Sequence, residues 1–189
     1  MQQTPTLDKR VRDALARWRK SCQQDWDSGF LGLISRYVPW FDAERIEYAF
    51  IDSTAIQLHG GEPHGVGAWL VVTPASWQRM LQTQGTTFSA ATDGDRGSLS
   101  VNGSGHASVV EFLDSLDGIR VCVHGVWVVS LPYLIENALL RPSASDREMV
   151  ISLIRANDLD ETFAKYLSTR TRRVHYLSCL GEARQRPKK

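Results

Sequence analysis

The chain has 189 residues, of which 42% are hydrophobic and 23% charged, as is typical of a globular protein with one core. No apolar run approaches the roughly 18 residues that cross a membrane, and the N-terminus lacks the apolar stretch of a secretory signal. We therefore expect a cytoplasmic protein without membrane contact. The three cysteines form no CxxC or Cys/His spacing, which argues against disulfides and a zinc site.

The net charge of +1 conceals an uneven distribution along the chain. Residues 1–20 carry +4 and residues 161–189 carry +6, whereas residues 21–160 carry −9. Basic ends bind nucleic acid or an acidic partner in some proteins, and in others they only solubilise exposed helices. No nucleic-acid motif accompanies these charges. Besides a basic N-terminal helix, the residues available for nucleic acid are Arg170, Arg172 and Arg173.

The first part of the chain predicts helices. Residues 7–24 have apolar side chains at helical spacing with Arg and Lys between them, which indicates an amphipathic helix. A second helical stretch covers residues 30–37 and ends before Pro39. We assign residues 1–47 to an N-terminal helical segment.

Residues 48–72 read YAFIDSTAIQLHGGEPHGVGAWLVV, a strand, a polar turn, an apolar helix, a Gly/Pro loop and a second strand. The turn consists of Asp52, Ser53 and Thr54. Asp52 and Ser53 have two interpretations, since they could form a ligand site or cap the helix that follows them. Residues 60–67 form the loop.

Further strands and helices follow in an α+β pattern. Residues 84–106 are rich in Gly, Ser and Thr and indicate a long loop, or a weak hairpin with Asn102-Gly103 at its turn. The other predicted elements are helix 75–83, strands 108–113, 120–123 and 126–129, and helices 131–140, 146–156, 159–167 and 174–180. Together they predict a small mixed sheet flanked by helices over residues 48–167. Residues 168–189 form a basic C-terminal tail that contains the last short helix.

The order of elements across residues 48–165 resembles the minimal nucleotidyltransferase fold, particularly the abortive-infection and toxin-type nucleotidyltransferases. In this family a turn of small residues follows the first strand, and an apolar helix then ends in Leu-His-Gly, here Leu58-His59-Gly60. A third catalytic carboxylate lies on a later strand, where this chain has Glu111.

The C-terminal part of the resemblance rests on a further helix pair. In the family a Lys lies in one helix, and an Arg and an Asp precede the next helix. Arg141 and Asp146 match the last two residues, whereas Asn137 or Ala138 stands near the position of the Lys.

Several departures from the family pattern concern phosphate and metal binding. The second strand of a family member opens with two carboxylates that hold Mg²⁺, and Gly67 and Trp69 occupy those positions here. Metal-assisted phosphoryl transfer needs such hard oxygen ligands. Asp52 would place a negative charge beside the phosphates, and the loop that usually carries Arg contains Glu62 instead. The resemblance therefore implies this fold without its metal site.

Three functions remain open at this level. The first is binding of a protein partner, without metal or cofactor, in the bacterial defence, toxin–antitoxin or mobile-element setting that the resemblance implies. The second is nucleotide transfer with Mg²⁺ and nucleotide held by Asp52, Glu62 and Glu111, of which Asp52 and Glu111 would be catalytic. The third is nucleic-acid binding through the basic ends. The residues expected to form the ligand or partner cleft are Ser53, Thr54, His59, His64, Trp69 and Arg141.

Single residues in this set have plainer interpretations as well. His59 and His64 could be ordinary loop residues, and Glu111 could face solvent from its strand. Trp69 could fill the space that nucleotide occupies in the family, or stack on a base or on a partner's aromatic side chain.

Overall fold

The computed structural model describes most of the chain from residue 37 onward. The described residues are 37–38, 40–62, 68–83, 88–93, 96–101, 106–123, 125–140 and 143–185. The predicted helix 7–24, and all but the last residue of the helix predicted at 30–37, lie outside these ranges. Within them, no helix combines the length and the apolar character needed to cross a membrane.

The strands of the described part form one mixed sheet. They are β1 (Tyr48–Ile51), β2 (Ala68–Val72), β3 (Phe88–Asp93), β4 (Arg96–Val101), β5 (His106–Phe112), β6 (Arg120–Val123) and β7 (Val126–Val129). Their order is β3-β4-β5-β2-β1-β7-β6. The β1–β7 and β2–β5 pairs are parallel, and the other neighbours are antiparallel.

Helices flank this sheet, so the predicted α+β class is confirmed. They are α1 (Ser53–Leu58), α2 (Pro74–Gln82), α3 (Leu131–Ala138), α4 (Ala144–Ala156), a 3₁₀ helix (Glu161–Tyr166) and α5 (Arg170–Gln185). Residues 37, 38 and 40–43 are also helical.

The register of the central strands separates the side chains of the sheet into two faces. Phe50 pairs with Leu70 and Ile51 pairs with Trp69, and neighbouring residues of a strand point to opposite faces. Phe50 and Leu70 are fully buried, and on their face Trp77 of α2 contacts Phe112, the partner of Val72. There Phe50 contacts the Tyr48 ring edge-on at 5.6 Å between ring centroids. The other face, with Ile51 and Trp69, opens toward α3 and α4.

Helix α1, which follows β1, ends in a hydrogen-bonded turn at Gly60 and Gly61. The N–H of Gly61 donates to the Ile56 carbonyl at 2.8 Å, and the N–H of Gly60 donates to the Gln57 carbonyl at 2.9 Å. Gly60 has φ +80°, so the helix ends in a Schellman motif that requires a left-handed residue. Gly61 packs against α4, where a Cβ would come within 2.8 Å of Leu153 Cδ2.

Three elements differ clearly from their predictions. The helix predicted at 159–167 is a six-residue 3₁₀ helix, Glu161–Tyr166. Residues 88–101 form a β-hairpin, β3–β4, and β4 also pairs antiparallel with β5, so the long-loop interpretation is wrong. The predicted turn residues Asn102 and Gly103 lie outside the described ranges. The C-terminal helix is also longer than residues 174–180, because α5 runs over sixteen residues.

Candidate functional site

A cleft of about 390 Å³ lies between the sheet and the helices α3 and α4, on the face that carries Trp69. The sheet side contributes the end of β1, the following turn, the start of β2 and one residue of β5. The lining residues are Ile51, Asp52, Trp69, Val110, Leu134, Asn137, Ala138, Asp146 and Met149. In the resemblance, the phosphate turn is at residue 52 and a metal carboxylate position is at residue 69, so the cleft lies where that family's chemistry would be.

Asp52 lies at the cleft with an unusual backbone conformation. Its φ of 57° and ψ of −135° fall in a region that glycine adopts readily and other residues rarely adopt. Asp52 occupies the N-cap position of α1, but its side chain makes no capping hydrogen bond. The turn therefore has a backbone conformation typical of glycine and places a carboxylate residue in the cleft wall.

Trp69 provides the aromatic surface of the cleft. It pairs with Ile51 of β1 and with Ser108 of β5, which places it on the open face of the sheet. Its side chain is half-buried. An indole has no oxygen with which to hold Mg²⁺. Beside it, Val110 is the additional residue of a β-bulge in β5, and its side chain also lines the cleft.

Glu111 shares the sheet face of Trp69 without lining the cleft. Its strand is parallel to β2, and it pairs with Val71, two residues beyond Trp69. The hydroxyl of Tyr133 in α3 donates to its carboxylate at 2.7 Å. Burial, followed by this hydrogen bond to Glu111, raises the pKa of Tyr133 to about 12. The Glu111 carboxylate is therefore engaged by α3.

The helical side of the cleft combines apolar residues with a second carboxylate. Asp146 and Ser143 form a capping box at the start of α4, in which the Ser143 N–H donates to Asp146 Oδ2 at 2.9 Å. Asn137 and Ala138 lie near the position of the Lys of the resembled family. Sequence reasoning did not assign Leu134 and Met149 to the cleft, because apolar helical residues carry no signal that separates a cleft wall from the core.

Three other residues predicted for the cleft, Ser53, Thr54 and His59, are buried or hydrogen-bonded within the fold. Ser53 and Thr54 are buried at the start of α1 and are absent from the cleft lining. His59 Nε2 lies 2.8 Å from the Val129 carbonyl, and the amide of Asn157 donates to the His59 carbonyl at 2.9 Å. Burial lowers the pKa of His59, and its hydrogen bond to Val129 partly opposes that effect. His59 therefore links α1, β7 and the end of α4.

The remaining predicted residues lie elsewhere or outside the described ranges. His64, Gly67 and Arg141 belong to the latter group. Glu62 is exposed after α1, and its N–H donates to Ser152 Oγ at 3.1 Å.

The arginines considered for nucleic-acid binding lie on α5, away from the cleft. Arg172 forms an ion pair with Glu136 of α3, and Arg173 Nε donates to the Leu167 carbonyl at 2.8 Å. Arg170 is exposed at the start of the helix. Two of these three side chains thus already hold α5 to the rest of the chain.

The described lining of the cleft is acidic and apolar. It contains two carboxylates, those of Asp52 and Asp146, and neither Lys, Arg nor His. In the described part of the chain, no three His, Cys, Asp or Glu residues lie close enough together to hold a metal ion. Phosphate binding normally uses cationic side chains or a bound metal to offset the charge of the phosphate.

Comparison with known proteins shows a structural likeness for this fold. No protein-family profile matches the chain, and no curated protein matches its sequence. The chain is similar to the crystal structure of an antigenic nucleotidyltransferase-like protein from Paracoccidioides brasiliensis, with a TM-score of 0.50 and 12% sequence identity. The match covers 84% of this chain and 88% of that chain. The mixed sheet and its flanking helices therefore have a nucleotidyltransferase-like fold.

Proposed function

We propose that this protein is a catalytically degenerate member of the nucleotidyltransferase-like fold that acts by binding a protein partner through the Trp69 cleft. The observation that carries the proposal is the position of Trp69, which lines the cleft where the resemblance places a metal-binding carboxylate. Its setting in bacterial defence, a toxin–antitoxin pair or a mobile element is part of the proposal and rests on the sequence resemblance alone.

Steric and electrostatic features of the cleft support this proposal. An indole occupies space beside Ile51 and Val110 and supplies no hard oxygen ligand. The carboxylates of Asp52 and Asp146 repel a triphosphate, and the described lining contains neither Lys nor Arg. A half-buried aromatic residue surrounded by apolar side chains is typical of the central contacts of a protein interface.

The first test is calorimetric titration of the purified protein with ATP, GTP, CTP and UTP, with and without Mg²⁺. We expect no metal-dependent binding. Metal-dependent binding of any one nucleotide would overturn the proposal, because the cleft would then still hold a metal–nucleotide complex.

The second test concerns the partner itself. Affinity capture with the wild type should retain a partner that Trp69→Ala loses and that Val121→Ala retains. Val121 is a suitable control because it is 37% exposed on the edge strand β6, outside the cleft lining. Equal capture by all three proteins would place the partner on another surface.

Nucleotide transfer with rearranged ligands is the second candidate function. One observation favours it, since Glu111 lies on the strand next to β2 and on the face of Trp69. It requires the Glu111 carboxylate to leave Tyr133 and act with Asp52. On this candidate, Glu111→Gln abolishes transfer while Tyr133→Phe retains or raises it. Transfer that is unaffected by Glu111→Gln would exclude the candidate.

A further inference from the structure

We propose that the partner inserts a basic side chain, Arg or Lys, into the cleft, where its charged group lies against Trp69 and near Asp52 and Asp146. This inference rests on the proposed function, because it names the chemistry by which the partner is recognised at the same site. It predicts a partner surface whose contact residue is positively charged and whose neighbours are apolar.

The lining of the cleft matches the two parts of such a side chain. Long basic side chains place an apolar stem against apolar surface and keep a charged head near polar groups. Val110, Leu134 and Met149 supply apolar surface, and Asp52 and Asp146 supply negative charge. Trp69 adds a ring face, and cations are attracted to indole rings more strongly than to other aromatic side chains.

The same chemistry occurs elsewhere in this protein. The guanidinium of Arg120 lies 4.6 Å from the centroid of the Trp127 ring and 3.4 Å from the carboxylate of Glu47. An arginine between an indole and a carboxylate is therefore an arrangement that this fold already contains. The Trp69 cleft offers an indole and two carboxylates, with no Arg or Lys in its described lining.

Charge and size favour a single basic side chain over other occupants. The two carboxylates of the lining, those of Asp52 and Asp146, attract a cation and repel an anion. The volume of about 390 Å³ lies near the lower end of the roughly 300–1,000 Å³ of ligand pockets. That space suits one side chain with its flanking backbone.

The experiment uses four peptides, acetyl-Leu-Xaa-Leu-amide with Arg, Lys, Gln or Glu as Xaa, titrated into the full chain by calorimetry and ¹H–¹⁵N NMR. The indole signal of Trp69 is assigned by its loss in Trp69→Phe. We expect the Arg and Lys peptides to bind and shift this signal, with weaker binding at higher salt. The Gln and Glu peptides should bind at least about fivefold more weakly.

Matched variants identify the groups responsible. Asp52→Asn and Asp146→Asn should each weaken Arg-peptide binding by about two- to fivefold. An Asn at 146 keeps an oxygen that accepts the Ser143 bonds, and circular dichroism verifies that each variant is folded. Asp117→Asn, which removes an exposed charge from a turn outside the cleft lining, should leave binding unchanged.

The outcomes separate a failure of this inference from a failure of the proposed function. Equal binding of all four peptides, or binding that is unaffected by both cleft substitutions, would overturn the recognition of a cation. No binding of any peptide would overturn it as well. In these cases the absence of metal-dependent nucleotide binding would leave the proposed function standing, whereas metal-dependent nucleotide binding would overturn the proposed function and this inference together.

Discussion

At the scale of single residues, the turn after β1 holds a non-glycine residue in a backbone conformation that glycine favours. The resemblance indicates small residues, including glycine, in this turn, and Asp52 has φ 57° and ψ −135° there. Because its Cβ crowds the backbone in this conformation, a non-glycine residue stores strain of about 1–3 kcal/mol. The surrounding strands β1 and β2 and the helix α1 supply the stability that maintains it.

We therefore predict that Asp52→Gly is more stable than Asp52→Ala by about 1–2 kcal/mol. Both substitutions remove the carboxylate, and only glycine relieves the strain, so their difference isolates the backbone. Urea unfolding measures it. If the two variants unfold at the same urea concentration, residue 52 does not adopt the left-handed conformation.

His59 leads to a prediction about pH. Burial lowers its pKa below the ordinary value of 6.5, so the folded state favours the neutral ring. As pH falls below about 6.5, the unfolded chain takes up a proton at this residue before the folded chain does, and the free energy of unfolding decreases. This decrease continues until the lowered pKa of the folded state is reached.

Urea unfolding between about pH 7.5 and about pH 5 should therefore show a loss of stability that is smaller in His59→Gln. Glutamine retains an N–H for the Val129 carbonyl but has no group that titrates in this range. A pH dependence of equal size in the wild type and the variant would contradict the assignment to His59.

At the scale of secondary-structure elements, the predictable strands are those with short apolar runs between turn residues. The bounds of β2, β6 and β7 were predicted to the residue for this reason. The hairpin β3–β4 was not predicted as a definite element, since its exposed face carries small residues such as Ser89, Ala91 and Ser98, which have a weak strand signal.

Helix α5 was predicted too short because the residues at its two ends are mostly polar and show no apolar spacing. Apolar spacing marks only its middle, whereas Arg172 pairs with Glu136 of α3 and Arg184 pairs with Glu161 of the 3₁₀ helix. Such pairs between distant segments leave no local pattern in the sequence.

Two glycines allow a test of how tightly the elements pack. A Cβ at Gly61 would lie 2.8 Å from Leu153 Cδ2 and 2.9 Å from Ile56 Cγ2, so Gly61→Ala should destabilise the fold by about 1–3 kcal/mol. At Gly181 in α5 a Cβ meets nothing within 4 Å. Gly181→Ala should stabilise by about 0.5–1 kcal/mol, because alanine favours the helix.

Thermal and urea unfolding of both variants measure these opposite effects. The comparison controls for the common loss of glycine flexibility in the unfolded chain. Equal stability of Gly61→Ala and the wild type would mean that α1 and α4 are not in close contact at this point.

At the scale of the whole molecule, the cleft depends on residues that are far apart in sequence. Asp52 and Trp69 were predictable because they occupy positions that the resemblance identifies. Leu134 and Met149 reach the same cleft only through the packing of α3 and α4 on the sheet. Such packing is a tertiary property, and the sequence pattern of an apolar helix face does not specify which side chains will remain accessible.

The position of a strand in the sheet predicts its resistance to opening. The backbones of β1 and β2 lie between paired strands on both sides, whereas β3 and β6 are at the edges. Amide hydrogen exchange should therefore be slowest in β1 and β2, with protection about tenfold or more above that of β3. Uniform protection across the sheet would instead indicate that the entire sheet opens as one unit.

The strand order also bears on how the protein emerges from the ribosome. The outer neighbours of the β1–β2 pair are β5, beside β2, and β7, beside β1. The outer edge of β1 is paired only when β7 has been synthesised, because Phe50 pairs with Val128. A nascent chain that ends at α2 presents the apolar antiparallel pair β1–β2 with both outer hydrogen-bonding edges free, and free strand edges of this kind promote aggregation. Translation therefore has to proceed through β7 before both edges are paired, so protection of the incomplete chain by a chaperone is most valuable during that interval.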